Sequence, residues 1–124
     1  MGAFNALVVA LVVWVLFLPP IAAVQLLDRP TGAAAVAAEF GIDVVWSLPP
    51  QCAGDWGCWM VATPNTVYVD PDAPTDRESV VLHELGHALV HRAGGDGTDE
   101  CAAELVARAL GSEVEFYECS TEPR

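Results

Sequence analysis

The sequence predicts a small α+β domain that follows an apolar N-terminal segment. Short β-branched and aromatic runs alternate with turn residues in the middle of the chain, and two stretches with helix-capping signals come after them. Residues 1–27 carry no charged side chain, whereas residues 28–124 hold every acidic and basic residue. We therefore expect two parts in this chain of 124 residues, an N-terminal segment at 1–27 and a folded domain at 28–124.

The N-terminal segment has the length and composition of a membrane span. Residues 3–27 are apolar apart from Asn5 and Gln25, which suffices to cross a bilayer with some tilt. A cleaved signal peptide is the alternative, but no basic residue precedes the apolar run, and neither Pro20 nor Ile21 is small enough for a cleavage site. We predict a single-pass transmembrane helix through which the protein contacts the membrane.

The charge and the cysteine content of the domain indicate which partners and which compartment to expect. The net charge is −12, there is no lysine, and the five arginines are scattered singly, so nucleic acid is not expected as a partner. An even set of cysteines in a domain this small indicates an oxidising compartment, although a lone Arg29 beside the apolar segment weakly favours the cytoplasm. We place the domain outside the cytoplasm and expect two disulfides, which are Cys52–Cys58 across a turn and Cys101–Cys119 between the second helix and the tail.

The elements of the first half follow from local signals. An alanine-rich run at 31–40 ends at Gly41, which predicts a short helix. Residues 42–46 are β-branched and aromatic, and two further strands are predicted at 58–62 and 66–69 around a Thr-Pro-Asn turn. These strands predict a short sheet, mixed or antiparallel.

Two helices are predicted in the second half. Thr75 and Glu78 match a capping box at the start of the first helix, which ends at the Gly94-Gly95 pair. Asp99 is expected to cap the second helix, which runs to about residue 110 and stops at Gly111. The first helix is almost entirely apolar around its histidines and is therefore expected to be buried.

The chemistry is expected on the first of these helices, where the sequence reads His83-Glu84-Leu85-Gly86-His87. Residues four apart lie on one helical face, so the two imidazoles can bind one metal ion while Glu84 holds a water and acts as general base. Zinc suits an open site of imidazole and carboxylate ligands. His91 continues the spacing, but helical drift turns it away from that ion, so we expect it beside the ligands or in the cleft.

A third ligand is expected from the second helix. Glu100 and Glu104 lie one turn apart, so one can bind the metal while the other orients a ligand histidine. Alternatively, both form an acidic first turn that complements the helix dipole. Tyr68, on the strand before the first helix, is a candidate hydrogen-bond donor to an oxyanion, with a packed strand tyrosine as the alternative.

These residues together resemble a known family. The strand at 66–69, the His-Glu-Leu-Gly-His helix and the following helix with two glutamates are similar to the small gluzincin-type metallopeptidases, nearest the ImmA/IrrE-like group, over about 41–110. The resemblance implies a minimal zincin-like domain, with a short sheet packed on two metal-bearing helices. It also implies zinc ligation by His83, His87 and Glu100, with Glu84 as the base and Glu104 as the partner of His83.

The sequence thus leads to two functional expectations of different classes. The first is a membrane-tethered zinc metallopeptidase that hydrolyses a peptide or protein substrate through a metal-activated water. The alternative is a non-catalytic, zinc-stabilised interaction module on the same anchor, since a small domain gains much stability from a metal. Glu84 separates the two, because a structural zinc site needs no base beside the metal.

Overall fold

The computed structural model describes residues 32–119, and within them the domain is α+β, with a three-stranded sheet and three α-helices. The predicted transmembrane segment at 1–27 lies outside this range. Between residues 32 and 119, no helix is long and apolar enough to span a membrane.

The order of elements agrees with the sequence, and the boundaries differ mainly in the strands. Strand β2 begins and ends earlier than predicted, because backbone hydrogen bonds from Thr63 to Met60 (3.1 Å) and from Thr66 to Thr63 (3.2 Å) already form the turn toward β3. In chain order the elements are α1 (Gly32–Glu39), β1 (Asp43–Val45), a 3₁₀ turn (Pro50–Cys52), β2 (Gly57–Trp59), β3 (Thr66–Val69), α2 (Arg77–Arg92) and α3 (Glu100–Ala109).

The sheet is mixed, with strand order β1-β3-β2. β1 pairs parallel to the central strand β3, and β2 pairs antiparallel to it with Cys58 opposite Tyr68. Side chains alternate between the two faces of a strand. Val67 and Val69 are therefore buried toward the helices, while Tyr68 between them lies on the other face.

The start of α2 differs from the predicted capping box. Asp76, not Thr75, is the N-cap, and its carboxylate accepts hydrogen bonds from the Glu78 backbone (3.1 Å) and the Ser79 hydroxyl (2.8 Å). The Glu78 carboxylate accepts instead from the backbone of Ala33 (2.9 Å), in the first turn of α1. Glu78 therefore accepts a hydrogen bond from a residue 45 positions away instead of one from its own helix cap, and this hydrogen bond links α1 to α2.

Helices α2 and α3 pack closely, and this contact places the functional residues. A side chain at Gly86 would overlap the backbone carbonyl of Ala103, so glycine permits the close approach. Leu85 is fully buried on α2, as is Ala107 on α3. The end of α2 lies near the start of α3, and the start of α2 lies near the segment that follows α3, so the two helices are antiparallel.

Both predicted disulfides are present. Cys52–Cys58 closes the loop that leads into β2, and Cys101–Cys119 fastens the segment after α3 to the first turn of that helix. No free cysteine occurs in the part of the chain that the structure describes.

Candidate metal centre

Three side-chain atoms from α2 and α3 converge on one point. The Nε2 atoms of His83 and His87 lie 3.1 Å apart, and Oε2 of Glu100 lies 2.9 Å and 3.1 Å from them. Around a tetrahedral ion with bonds of about 2.1 Å, neighbouring ligand atoms lie roughly 3.4 Å apart. The spacing of these three atoms, hereafter the donor triangle, therefore fits a metal ion.

Glu84 adds a second carboxylate beside the histidines. His83, Glu84 and His87 are all buried, and each offers a ligand atom within 4.8 Å of the others, so this group can hold a metal ion. The side chain of Glu100 is 44% exposed. Its Oε2 atom lies 2.9 Å from Nε2 of His83 and 3.1 Å from Nε2 of His87, well inside that limit. The distances favour Glu100 over Glu84 as the ligand, and the ligand role itself stays a prediction.

His87 is held in the form that can bind a cation. Its Nδ1 lies 2.6 Å from the carbonyl oxygen of Gly97, which only accepts, so Nδ1 carries the proton and Nε2 offers its lone pair. Burial lowers the pKa of His87, although the charge of Glu100 opposes this effect. The lowered pKa keeps the ring neutral. A side chain at Gly97 would overlap Trp59 and His91, so only glycine brings this carbonyl so close.

Glu104 lies where the predicted partner of His83 should be. Its Oε2 is 3.3 Å from Nδ1 of His83 and also accepts hydrogen bonds from the backbones of Phe116 (3.2 Å) and Tyr117 (3.1 Å). The side chain is fully buried, and neither its Oε1 nor Nδ1 of His83 makes a hydrogen bond within residues 32–119. The same carboxylate therefore lies beside the imidazole of His83 and anchors the segment after α3.

Glu84 is buried beside other acidic groups. Burial chiefly, with smaller contributions from the charges of Glu100 and Asp55, raises the pKa of Glu84 to about 8. A bound cation opposes each of these effects, because it stabilises the nearby carboxylate. The donor triangle is thus surrounded by carboxyl groups whose charged forms a metal ion would stabilise.

Aromatic rings stack on both histidines. The ring of Trp59 is parallel to that of His87, with centroids 6.2 Å apart, and Tyr117 stacks on His83 at 5.4 Å. The edge of Phe116 also contacts His83. The sequence did not predict these contacts, although the Cys101–Cys119 pairing was a signal that residues just before Cys119 lie against α3.

Two predicted residues lie apart from the donor triangle. The Tyr68 hydroxyl is 3.3 Å from Oγ1 of Thr63, and its ring lies on the sheet face that points away from the helices, so the structure does not bring it to the site. His91 packs against Trp59 with ring centroids 5.2 Å apart, and Trp59 in turn stacks on His87.

A cleft of about 570 Å³ opens onto the donor triangle. Strand β2 and the loop before it form one wall, and the rest is formed by α2, the α2–α3 connection, the first turn of α3 and the segment after α3. Glu84 faces into this cleft, and no arginine lines it. The cleft offers carboxylates and aromatic rings to a ligand that enters it.

Comparisons with protein-family models, curated proteins and solved structures found no match for this chain.

Proposed function

We propose that the protein is a zinc metallopeptidase, tethered to a membrane by residues 3–27, with its folded domain outside the cytoplasm. The observation that carries the proposal is the donor triangle, in which two imidazole nitrogens and one carboxylate oxygen lie within 3.1 Å of one another. The cleft is lined by these three residues, so a metal ion held by them would be accessible to water and substrate, as a catalytic site requires.

The donor set supports zinc among the common metals. Two imidazoles with one carboxylate match the ligands of hydrolytic zinc sites, whereas calcium and magnesium prefer oxygen ligands alone. Thiolate ligands are not offered, because the four cysteines are paired in disulfides. These disulfides also support an oxidising compartment for the domain.

In the proposed reaction the protein's own residues position and move a proton. Glu84, directly after His83 and facing the cleft, accepts a proton from the attacking water and delivers it to the leaving amine. The Gly97 carbonyl fixes the tautomer of His87, and Glu104 lies beside Nδ1 of His83, so both Nε2 atoms would be available to hold a metal ion. Zinc supplies Lewis acidity, which polarises the substrate carbonyl and acidifies water.

Zinc content and hydrolysis by Glu84→Gln test the proposal. The purified full chain should hold one zinc per molecule and cleave members of a peptide library. Glu84→Gln should keep the zinc and lose at least about 100-fold in kcat/KM, because the base is removed and the ligands remain. Glu113→Gln is the matched control, since this residue is exposed and lies outside the cleft lining.

The outcomes separate the two expectations. Zinc binding without hydrolysis by the parent chain would favour the zinc-stabilised interaction module. Absence of zinc, with none taken up on addition, would reject both functions. Equal hydrolysis by Glu84→Gln and the parent would show that Glu84 is not the base.

A further inference from the structure

Two residues of the cleft wall take no part in the metal centre. Asp55 and Trp56 lie in the loop closed by Cys52–Cys58, and both line the cleft that contains Glu84. Trp56 is 44% exposed although it is a large aromatic residue. The loop therefore presents one carboxylate and one aromatic ring to whatever occupies the cleft.

The loop is held in place from three sides. The disulfide closes it, the Trp56 carbonyl accepts a hydrogen bond from the Asp70 backbone (2.8 Å), and the Trp56 ring packs edge-on against Phe116 at 6.0 Å. A recognition surface that is fixed before binding loses little entropy when a ligand arrives.

The charge on this wall is unbalanced. Within residues 32–119 the Asp55 carboxylate has no hydrogen bond or ion pair, and no arginine or lysine lines the cleft. Asp55 lines the same cleft as Glu84 and Tyr117. Glu84 is itself buried, makes no side-chain hydrogen bond among the described residues and lines the same cleft.

We propose that this loop, residues 52–58, selects peptides with a lysine or arginine side chain, whose cationic head binds between the Asp55 carboxylate and the face of Trp56. An ammonium or guanidinium group is attracted to the tryptophan ring and forms an ion pair with the carboxylate. Met60 and Trp59 offer apolar surface in the same cleft for the aliphatic stem of the side chain. The inference rests on the proposed peptidase function and names its substrate class.

Binding to the full-length, zinc-loaded Glu84→Gln variant tests the inference without turnover. The probes are acetylated, amidated alanine-glycine octapeptides in which one position carries arginine, lysine, norleucine or glutamate, and the readout is tryptophan fluorescence. The arginine and lysine peptides should bind about 10-fold more tightly than the norleucine peptide at low salt. The glutamate peptide should bind most weakly, because it meets unpaired carboxylates.

Substitutions of Asp55 identify the residue responsible. Asp55→Asn in the same background should remove most of the preference, and Asp55→Lys should shift it toward the glutamate peptide. Asp43→Asn is the matched control, since Asp43 is exposed on β1 at the opposite edge of the sheet from β2. Equal binding of the norleucine and arginine peptides, or an unchanged preference in Asp55→Asn, would overturn the inference.

Hydrolysis assays on the parent chain show whether the substrate class or the peptidase function itself is wrong. Cleavage of the library without preference for basic residues would overturn the substrate class and leave the peptidase intact. A binding preference for basic peptides without cleavage of any of them would overturn the peptidase and keep the recognition site.

Discussion

Glu100 and Glu104 are one helical turn apart and differ sharply in their surroundings. Glu100 is half exposed and contacts the Nε2 atoms of both histidines, whereas Glu104 is fully buried and faces Nδ1 of His83. The first arrangement suits a metal ligand and the second suits a residue that orients a ligand.

We expect Glu100→Ala to weaken zinc binding far more than Glu104→Ala does. Loss of a residue that orients a ligand typically costs about 10- to 100-fold in affinity, and loss of a ligand costs more. Competition with a chromophoric chelator measures both affinities. The reverse order would exchange the two roles, and equal affinity in both variants and the parent would move the third ligand elsewhere.

Tyr117 is a candidate donor to an oxyanion, and Tyr68 serves as its control. Tyr117 lines the cleft, and burial together with nearby carboxylates raises its pKa, so the phenol keeps its proton at neutral pH. Tyr117→Phe should lower kcat by roughly 10- to 100-fold while zinc is retained, because the phenol donates to the developing negative charge. Tyr68→Phe, which changes a hydroxyl outside the cleft lining, should leave kcat unchanged.

At the scale of the elements, the segment after α3 depends on contacts that are far apart in sequence. Cys119 is bonded to Cys101, and the backbones of Phe116 and Tyr117 donate to Glu104. The segment has no regular helix or strand, so these contacts hold it against His83.

We expect Cys101→Ser/Cys119→Ser to lower both stability and zinc affinity. Opening a loop of this length costs about 3 kcal/mol in the chain-entropy estimate, and release of Tyr117 also exposes His83 to water. Cys52→Ser/Cys58→Ser opens a shorter loop and should cost about 2 kcal/mol, with a smaller effect on zinc. Thermal unfolding and chelator competition measure the two quantities, and equal zinc affinity in both double variants would contradict the role assigned to the segment.

Features that depend on local sequence patterns were largely predicted from the sequence, whereas several that depend on contacts between distant residues were not. The helix cap at Asp99 and the histidine spacing on α2 are local patterns, and the sequence predicted them. The capping box at Thr75 failed because Glu78 found a distant partner on α1. The stacking of Trp59 and Tyr117 on the histidines depends on strand pairing and on a disulfide, which local patterns do not encode.

At the scale of the whole molecule, the chain is acidic, and within residues 32–119 two of its carboxyl groups, those of Glu84 and Glu104, are buried. The chain has a net charge of −12, and Glu84 lies near Glu100 and Asp55 in the metal-free protein. The raised pKa of Glu84 means that the folded, metal-free chain still holds a proton that the unfolded chain has already released above pH 4.5.

Metal-free protein should therefore become less stable as the pH rises. Between the unfolded pKa of 4.5 and the folded pKa of about 8, folding takes up one proton at Glu84, so stability falls by about 1.4 kcal/mol per pH unit from this group. Thermal unfolding of chelator-treated protein at pH 5.5, 6.5 and 7.5 measures the slope. Glu84→Gln should remove that contribution, and an identical slope in the variant would contradict the assignment.

The cleft has both of its walls fastened to the body of the protein. The loop at 52–58 is closed by one disulfide, the segment at 112–119 is anchored by the other, and Trp56 joins them through Phe116. For the proposed peptidase, walls tied in this way favour a target that presents an extended stretch of chain over one that presents a folded loop. The cleavage rate of a folded target would then follow the fraction of time that its segment is locally unfolded. In that case the protein would respond to the local stability of its target as well as to the target's sequence.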